Sequence, residues 1–278
     1  MTESELETVR PSGWVLAGTL TSPPEPLRRP LVVLMLHGLM SHKDHTFFPR
    51  LAERLSRELG VYTYRFNFRG ARLSEAEPEY RPRMSGFADE ADDARCAARM
   101  LGERGLRVVG VVGHSRGAST ALFLFGSGDL RELEGAALVA VAPRFRVAGV
   151  LDKFTAEQLA EAASAGSFEW RLKPDAPAVV VERRDIEALR AFDMAACVGR
   201  IPPGVPVLCV HGSADTTIPP EDSALCVEAR AAAGGVAPVL TIVSQANHNF
   251  QKSTHTEKLI VAVVEFVGAH IGVKAAAL

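Results

Sequence analysis

Long hydrophobic runs and a surplus of one charge sign are both missing from this chain. The longest strongly apolar runs, such as Leu31 to Leu36 and Leu259 to Val264, fall far short of the roughly 20 residues that a membrane-spanning helix needs. Lys and Arg number 31 against 33 for Asp and Glu, a formal net charge of -2. Without a basic surplus there is no general attraction to nucleic acid or to an anionic membrane surface. The composition therefore predicts neither a membrane span nor a nucleic-acid partner.

Cysteine is scarce, and its four residues lie far apart without a CxxC pair: Cys96, Cys197, Cys209 and Cys226. This spacing favours buried free thiols over a disulfide framework. The N-terminal stretch from Met1 to Pro11 lacks the basic start and the apolar segment of a secretory signal. Both absences predict a reducing, cytoplasmic location.

The remaining composition is that of a folded domain, since the 278 residues are 47% hydrophobic and 23% charged. Short β-prone runs alternate with helical patterns along the chain. The strand-like runs are Leu31–Leu36, Val61–Phe68, Val108–Val112, Ala136–Val141, Val205–Val210 and Val239–Val243, of which Val61–Phe68 reads as a strand nearer an edge. The helical patterns cover Phe48–Leu59, Phe87–Leu101, Pro220–Ala233 and Glu257–His270. The alternation predicts an α/β fold: one domain over residues 1–278, with a mostly parallel central sheet and helices on both faces.

One segment, Arg144 to Arg184, interrupts the alternation. It holds an amphipathic piece, Thr155 to Ala165, and an aromatic pair, Phe168 and Trp170, where the next strand should begin. We interpret residues 144–184 as a small lid insertion over the carboxyl edge of the sheet. Because the charges of the lid nearly cancel, its aromatic residues are the candidates for substrate contact. The alternative, that Phe168 and Trp170 anchor the lid to the sheet, stays open.

A GxSxG motif, Gly113 to Gly117, directly follows the strand-like run Val108–Val112 and leads into a helix that begins with small residues. This strand, sharp turn and helix are what a nucleophile elbow requires. The glycines are needed because a side chain at either position would collide with the neighbouring strand or helix. The motif predicts Ser115 as a nucleophile.

A serine hydroxyl needs a base to remove its proton and an acid to orient that base. His248 lies in a loop just past the last strand, and Asp215 lies a few residues past the penultimate one. The chain order is therefore Ser115, Asp215, His248, the order of the triad on this type of sheet. The alternative base is His255, and the alternative acids are Asp193 and Asp222.

Acyl transfer also requires N–H groups that stabilise the oxyanion. Arg116 offers one directly after the serine, and the loop His37 to Met40 offers a second, expected from Leu39. Met40 is expected to form part of the pocket wall rather than to donate.

Together these stretches resemble the α/β-hydrolase superfamily: Leu31 to Asp44, the run Arg65 to Gly70, the GHSRG elbow, Asp215 with Ile218 and Pro219, and Asn247 to Phe250. They are similar in particular to its cytosolic serine esterase branch, with cinnamoyl-esterase-like and fungal esterase-like members, and to the related serine aminopeptidase-type hydrolases. The resemblance spans about Gly13 to Gly272. It implies an α/β-hydrolase fold with Ser115, His248 and Asp215 as triad and the N–H groups of Leu39 and Arg116 as oxyanion hole. The chain departs from the family pattern at Ala71 to Ser74, where Arg-Gly is often followed by x-Gly-x-Ser.

These features predict a serine esterase that cleaves a small-molecule carboxylic ester through an acyl-enzyme, without a cofactor or a metal ion. The same triad serves a thioesterase or an aminopeptidase-type amide hydrolase, for which Glu161 or Glu169 could hold the substrate amine. A non-catalytic relative that binds ligands is the third alternative. Homodimer formation stays open.

Overall fold

The computed structural model of the chain describes residues 1–13, 15–69, 84, 86–171 and 178–273. The predicted family departure at Ala71 to Ser74 lies outside these residues. The strands are β1 Thr2–Val9, β2 Val15–Ser22, β3 Leu31–Leu36, β4 Tyr62–Phe66, β5 Arg107–His114, β6 Ala137–Val141, β7 Ser167–Trp170, β8 Val179–Glu182, β9 Val207–Gly212 and β10 Val239–Val243. The α-helices are α1 Phe48–Leu59, α2 Phe87–Glu103, α3 Arg116–Gly126, α4 Ala156–Ala165, α5 Arg183–Ala191, α6 Met194–Gly199, α7 Glu221–Ala232 and α8 Ser253–Ile271.

Eight strands form one sheet in the order β1-β2-β4-β3-β5-β6-β9-β10. The six strands from β4 to β10 are parallel, and β1 and β2 join the β4 edge in antiparallel orientation. This confirms the predicted α/β architecture with a mostly parallel sheet. The carboxyl ends of the parallel strands meet along one edge, where the loops of the site are found.

The central strands are buried on both faces, as the apolar run of β3 illustrates, because helices cover each side of the sheet. Its residues Val32 and Leu34 pack in one core cluster with α2, α3 and α6. Val33 and Met35 pack in a second cluster with α1 and α8. The continuous apolar run of β3 therefore contributes side chains to both hydrophobic clusters, one on each face of the sheet.

Two strands, β1 and β2, were not expected from the sequence, and they change the position of β4. The side chains of β1 are mostly exposed and polar, so the strand carries little apolar periodicity. With β1 and β2 outside it, β4 is the third strand from the edge rather than a strand near it. The exposed edge on the other side is β10, where Val239 and Ile242 are each 46% exposed.

The segment between β6 and β9 contains the expected interruption. It begins with a 3-10 helix, Val147–Lys153, and continues through α4, the antiparallel pair β7 and β8, and then α5. Helix α4 starts at Thr155 with a capping box that involves Gln158. Helix α5, which follows β8, packs back against the 3-10 helix.

All four cysteines are free thiols, and three of them are buried while Cys96 is half-buried. None of the helices in the described part of the chain is long and apolar enough to cross a membrane.

Candidate active site

Ser115 lies in the sharp turn between β5 and α3, with a backbone φ of 55° and ψ of -119°. A Cβ at position 113 would lie 2.3 Å from the carbonyl oxygen of Gly117, and one at position 117 would lie 2.2 Å from that of Leu36. Only glycine fits at either position, because backbone atoms cannot move aside as a flexible side chain can. The close approach holds Ser115 in its strained conformation at the carboxyl edge of the sheet.

Three side chains from distant parts of the chain meet at this edge. His248 Nε2 lies 2.9 Å from Ser115 Oγ, and His248 Nδ1 lies 2.7 Å from Asp215 Oδ2. A carboxylate accepts only, so Nδ1–H of His248 donates to Asp215 and leaves Nε2 to accept from the Ser115 hydroxyl. This is the tautomer that lets a histidine remove a serine proton.

The Asp215 carboxylate is buried and receives four hydrogen bonds. Its Oδ1 accepts from the backbone N–H groups of Thr217 and Ile218, at 2.8 and 2.9 Å, and its Oδ2 accepts from His248 and His211. Burial by itself raises the pKa of Asp215, but the hydrogen bonds from the two histidines outweigh it and hold the pKa well below its ordinary value. Asp215 is therefore an ionised acceptor at neutral pH.

The loop that carries His248 is held by His114, the residue before Ser115. His114 Nε2 donates to the carbonyl oxygen of His248 over 2.9 Å. Burial lowers the pKa of His114 to about 3, so the ring stays neutral and keeps one N–H to donate. The turn between β5 and α3 thus positions the loop of His248 as well as Ser115.

The loop after β3 lies beside Ser115. A Cβ at Gly38 would lie 3.3 Å from Ser115 Cβ. His37 holds this loop, since its Nδ1 donates to the Gly38 carbonyl over 2.8 Å and its Nε2 accepts from the Phe68 N–H over 3.0 Å. Burial lowers the pKa of His37 to about 4, which preserves this neutral tautomer. Leu39, the expected oxyanion donor, therefore follows a glycine whose position leaves little space for a side chain beside Ser115.

The second expected donor, Arg116, is the first residue of α3. Its side chain is buried and turned towards α2, where Nε lies 2.5 Å from Glu90 Oε1 and the guanidinium stacks 4.6 Å from the ring centre of Phe87. It also donates to the carbonyl of Met84. The side chain thus anchors the start of α3, while the backbone N–H remains at the turn beside Ser115.

The candidate substrate-contact residues differ in their surroundings. Met40 is half-buried in the loop after β3 and has a left-handed φ of 53°. Phe168 and Trp170 lie on β7 with only 3% and 6% of their surface exposed. Both rings make edge-to-face contacts with Phe154, at 5.2 and 5.6 Å between ring centres. Phe154 itself belongs to residues 144–184, so these contacts bury the two rings within that segment.

The alternative acids and base serve other contacts. Asp193 caps α6 by accepting from the Ala196 N–H, and Asp222 accepts from the backbone N–H groups of Phe145 and Arg146. His255 is buried in the first turn of α8. Within the described ranges, no group of three or more His, Cys, Asp or Glu side chains is arranged to hold a metal ion.

Sequence reasoning missed the supporting histidines. His114 was recognisable only as part of the elbow, and His211 only as a histidine before a glycine at a strand end. The one available signal was the spacing of His211 and Asp215, four residues apart at the end of β9. That spacing does not reveal which side chain the histidine faces.

Comparisons with known proteins identify the family and the fold of the chain. The model of the alpha/beta hydrolase family matches residues 33–262 of the chain. Comparison with curated protein sequences gives no match. Among solved structures, Est1E from Butyrivibrio proteoclasticus with bound ferulic acid superposes with a TM-score of 0.75 at 17% identity, covering 96% of this chain and 99% of that one.

Two further structures show the same fold. The alpha/beta hydrolase GrgF from Penicillium sp. sh18 has a TM-score of 0.73 at 17% identity, covering 98% of this chain and 100% of its own. A puromycin-hydrolysing peptidase of Mycobacterium tuberculosis has a TM-score of 0.70 at 16% identity, covering 99% of this chain and 40% of its own. At such identities the likeness establishes the fold alone. The family match over most of the sequence goes further, and it shows that this chain belongs to the alpha/beta hydrolase family.

Proposed function

We propose that the protein is a serine hydrolase that cleaves a carboxylic ester through an acyl-enzyme intermediate. The observation that carries the proposal is the continuous hydrogen-bonded chain from Ser115 Oγ through His248 to Asp215. Such a chain gives a weakly acidic hydroxyl a base at hydrogen-bond distance, which a structural serine does not need. The alpha/beta hydrolase family membership supports hydrolytic chemistry in general.

In the first half-reaction, Ser115 Oγ attacks the ester carbonyl carbon while His248 Nε2 takes its proton. The tetrahedral intermediate carries its negative charge on the former carbonyl oxygen. It collapses by breaking the carbon–oxygen bond of the leaving alcohol, which takes the proton from His248. Asp215 remains ionised throughout and stabilises the imidazolium that forms between the two transfers.

In the second half-reaction, water attacks the acyl carbon and His248 takes the water proton. The second intermediate collapses by expelling Ser115, which recovers its proton from His248 and releases the carboxylic acid. In both intermediates the N–H groups of Leu39 and Arg116 are the proposed donors to the oxyanion. Removal of one such donor typically costs about 10²- to 10³-fold in kcat.

An ester is preferred over an amide for a specific reason. An aminopeptidase-type substrate requires a carboxylate at the cleft to hold its amine, and the lid candidates were Glu161 and Glu169. Both residues are exposed in the described structure, on α4 and β7 respectively. A thioester remains chemically equivalent for this triad, so the experiment includes one. Ferulic acid, which Est1E binds, makes hydroxycinnamate esters a natural part of the screen.

The proposal extends to the setting of the site. We propose that residues 1–278 act as one domain in which the segment 144–184 is a lid over the cleft. Met40 is proposed as pocket wall, and Phe168 and Trp170 as lid residues that affect substrate access through the packing of the lid. A cytoplasmic location, a homodimer and the lack of a nucleic-acid partner remain proposals from the sequence.

The test is a hydrolysis screen with the purified protein and its Ser115→Ala variant. The substrates are p-nitrophenyl esters of increasing acyl length, methyl hydroxycinnamates, thioesters and aminoacyl anilides. We expect turnover of oxygen esters by the native protein and none by the variant. Turnover confined to aminoacyl anilides would replace the esterase proposal by the amide hydrolase, and equal turnover by both proteins would remove Ser115 as nucleophile.

A further inference from the structure

A second histidine, His211, lies next to the catalytic acid, and the mechanism above does not use it. It is the fifth residue of β9, its side chain is completely buried, and it precedes Asp215 by four residues. Buried polar groups in a domain core are costly unless their hydrogen bonds are made. The partners of His211 therefore indicate what the residue is for.

The partners of His211 assign its tautomer. Its Nε2 lies 3.1 Å from Asp215 Oδ2 and 3.1 Å from the carbonyl oxygen of Ile218, and both of these atoms are acceptors. Nε2 must therefore carry the hydrogen. In the neutral ring Nδ1 is then an acceptor, and the Ser223 hydroxyl, 2.7 Å away, donates to it.

These contacts extend the hydrogen-bonded chain beyond the triad. The direction of donation runs from Ser223 to His211 and from His211 to Asp215 Oδ2, which also accepts from His248. Asp215 Oδ1 is occupied by two backbone N–H groups at the same time. With donors on both oxygens, the carboxylate cannot rotate about its terminal bond without breaking hydrogen bonds to a charged group.

Ser223 is well placed to be the fixed end of this chain. It is fully buried on α7, in the first turn after Pro219 and Pro220, and α7 packs against β9. A side chain on a packed helix is held more rigidly than one on a loop. Asp215 itself lies in a loop, so it depends on such a neighbour for its orientation.

We propose that His211 is a positioning residue for the catalytic acid, and that Ser223 fixes its tautomer. His211 does not touch the reacting atoms; it holds the Asp215 carboxylate at the angle from which Oδ2 can orient His248. The inference rests on the proposed function, since it assigns the triad the roles given above. The hydrogen bond from His211 is also among the causes that keep the pKa of Asp215 below its ordinary value, against the opposing effect of burial.

The alternative is that His211 only satisfies the core at the end of β9. The two roles differ in what a replacement must preserve. A positioning role requires an N–H donor at the place of Nε2, whereas a filling role requires only the volume. His211→Gln keeps a donor at the end of a side chain of similar reach, and His211→Leu keeps the volume without the donor.

The experiment measures kcat and KM for an ester substrate, together with melting temperature, in four variants. We expect His211→Leu to lower kcat about 10- to 100-fold with KM unchanged, since a hydrogen bond to a charged group is lost. His211→Gln should recover most of that loss. Ser223→Ala should lower kcat about 2- to 10-fold, because the donor survives but its tautomer is no longer held. The matched control is Ser56→Ala, which removes a fully buried hydroxyl on α1 for which no partner is found among the described residues.

A second readout does not depend on turnover. The proton between His248 and Asp215 should give a far-downfield resonance in the proton NMR spectrum of the native protein and of Ser115→Ala, and none in Asp215→Asn. In His211→Leu the resonance should move or broaden, and in His211→Gln it should return. An unchanged resonance in His211→Leu, full kcat in that variant, or a His211→Gln variant as impaired as His211→Leu would overturn the inference.

Failure of the proposed function gives a different pattern. In that case the native protein turns over none of the substrates and Ser115 is not labelled by a fluorophosphonate probe. The NMR comparison of the His211 variants still decides whether His211 orients the carboxylate. If His211→Leu does not fold, His211→Met replaces it as the variant without the donor, and the comparison with His211→Gln is unchanged.

Discussion

Replacement of the proposed catalytic acid by its amide, Asp215→Asn, is the most direct perturbation of the proposed mechanism. The amide is nearly the same size as the carboxylate, so the fold should persist. It offers one acceptor and one donor in place of two acceptors. The four groups around Asp215 are all donors: two backbone N–H groups face Oδ1, and His211 and His248 face Oδ2.

Either orientation of the amide disturbs the site. With its oxygen towards the backbone, its NH2 faces His248 and forces Nδ1 to accept, so that Nε2 carries a proton and cannot take one from Ser115. With its oxygen towards His248, two backbone N–H groups lose their acceptor at about 1 to 3 kcal/mol each. That cost corresponds to a roughly 30- to 20,000-fold smaller productive population. Because the negative charge that stabilises the imidazolium is also lost, we expect kcat to fall on the order of 10⁴-fold near neutral pH, as in serine proteases.

The assay is ester hydrolysis at saturating substrate, with circular dichroism as the check on the fold. The matched control is Asp193→Asn, because Asn caps a helix about as well as Asp and Asp193 only caps α6. The control should retain kcat. A folded Asp215→Asn protein with kcat within about tenfold of native would refute the assignment of the acid, and a large loss in Asp193→Asn instead would transfer the role to that residue.

Four further predictions address the nucleophile, the elbow, the lid and acid stability. Ser115→Ala and His248→Ala should each lower kcat by a factor of roughly 10⁴ to 10⁶, and the double variant should have nearly the same kcat as either single one, since the two residues act as a unit. Additive losses in the double variant would contradict this. So would a fluorophosphonate adduct that mass spectrometry locates on another serine. Gly117→Ala should destabilise the fold by several kcal/mol in urea unfolding, because its Cβ would lie 2.2 Å from a backbone oxygen. Gly102→Ala on α2, where a Cβ would meet nothing within 4 Å, should be neutral or stabilising. Equal stabilities of the two variants would refute the steric argument. Trp170→Ala should lower the free energy of unfolding by about 3 to 5 kcal/mol and leave the preference among acyl lengths unchanged. Glu169→Ala, on the exposed face of β7, should change neither quantity. A changed preference at constant melting temperature would show that Trp170 lines the substrate pocket. Between pH 7 and 5 the free energy of unfolding should fall by about 2 kcal/mol for each of His37 and His114. Burial lowers their pKa to about 4 and about 3, so in that range these two histidines take up protons only in the unfolded chain, where the histidine pKa is near 6.5. Constant stability between pH 7 and 5 would show that these rings are not buried in the neutral form.

The sequence by itself determined the elements whose residue pattern directly reflects how they are buried. The apolar runs of β3 and β5 predicted strands covered on both faces, because a strand buried on two sides needs apolar residues at every position. The GxSxG motif predicted the elbow, because only glycine tolerates such close backbone contacts. The chain order of Ser115, Asp215 and His248 placed all three candidates at strand ends.

Only the tertiary structure decided what lies beside these elements. The polar strand β1 left no periodic signal, since it buries almost nothing. The run of β10 reads as a buried strand, although three of its four apolar side chains are exposed at the edge and only Val243 is buried. The roles of His114, His211 and Ser223 depend on hydrogen bonds that close only in the folded chain. Residue spacing cannot specify them, because the direction of a side chain is set by the packing of the strands and helices that surround it.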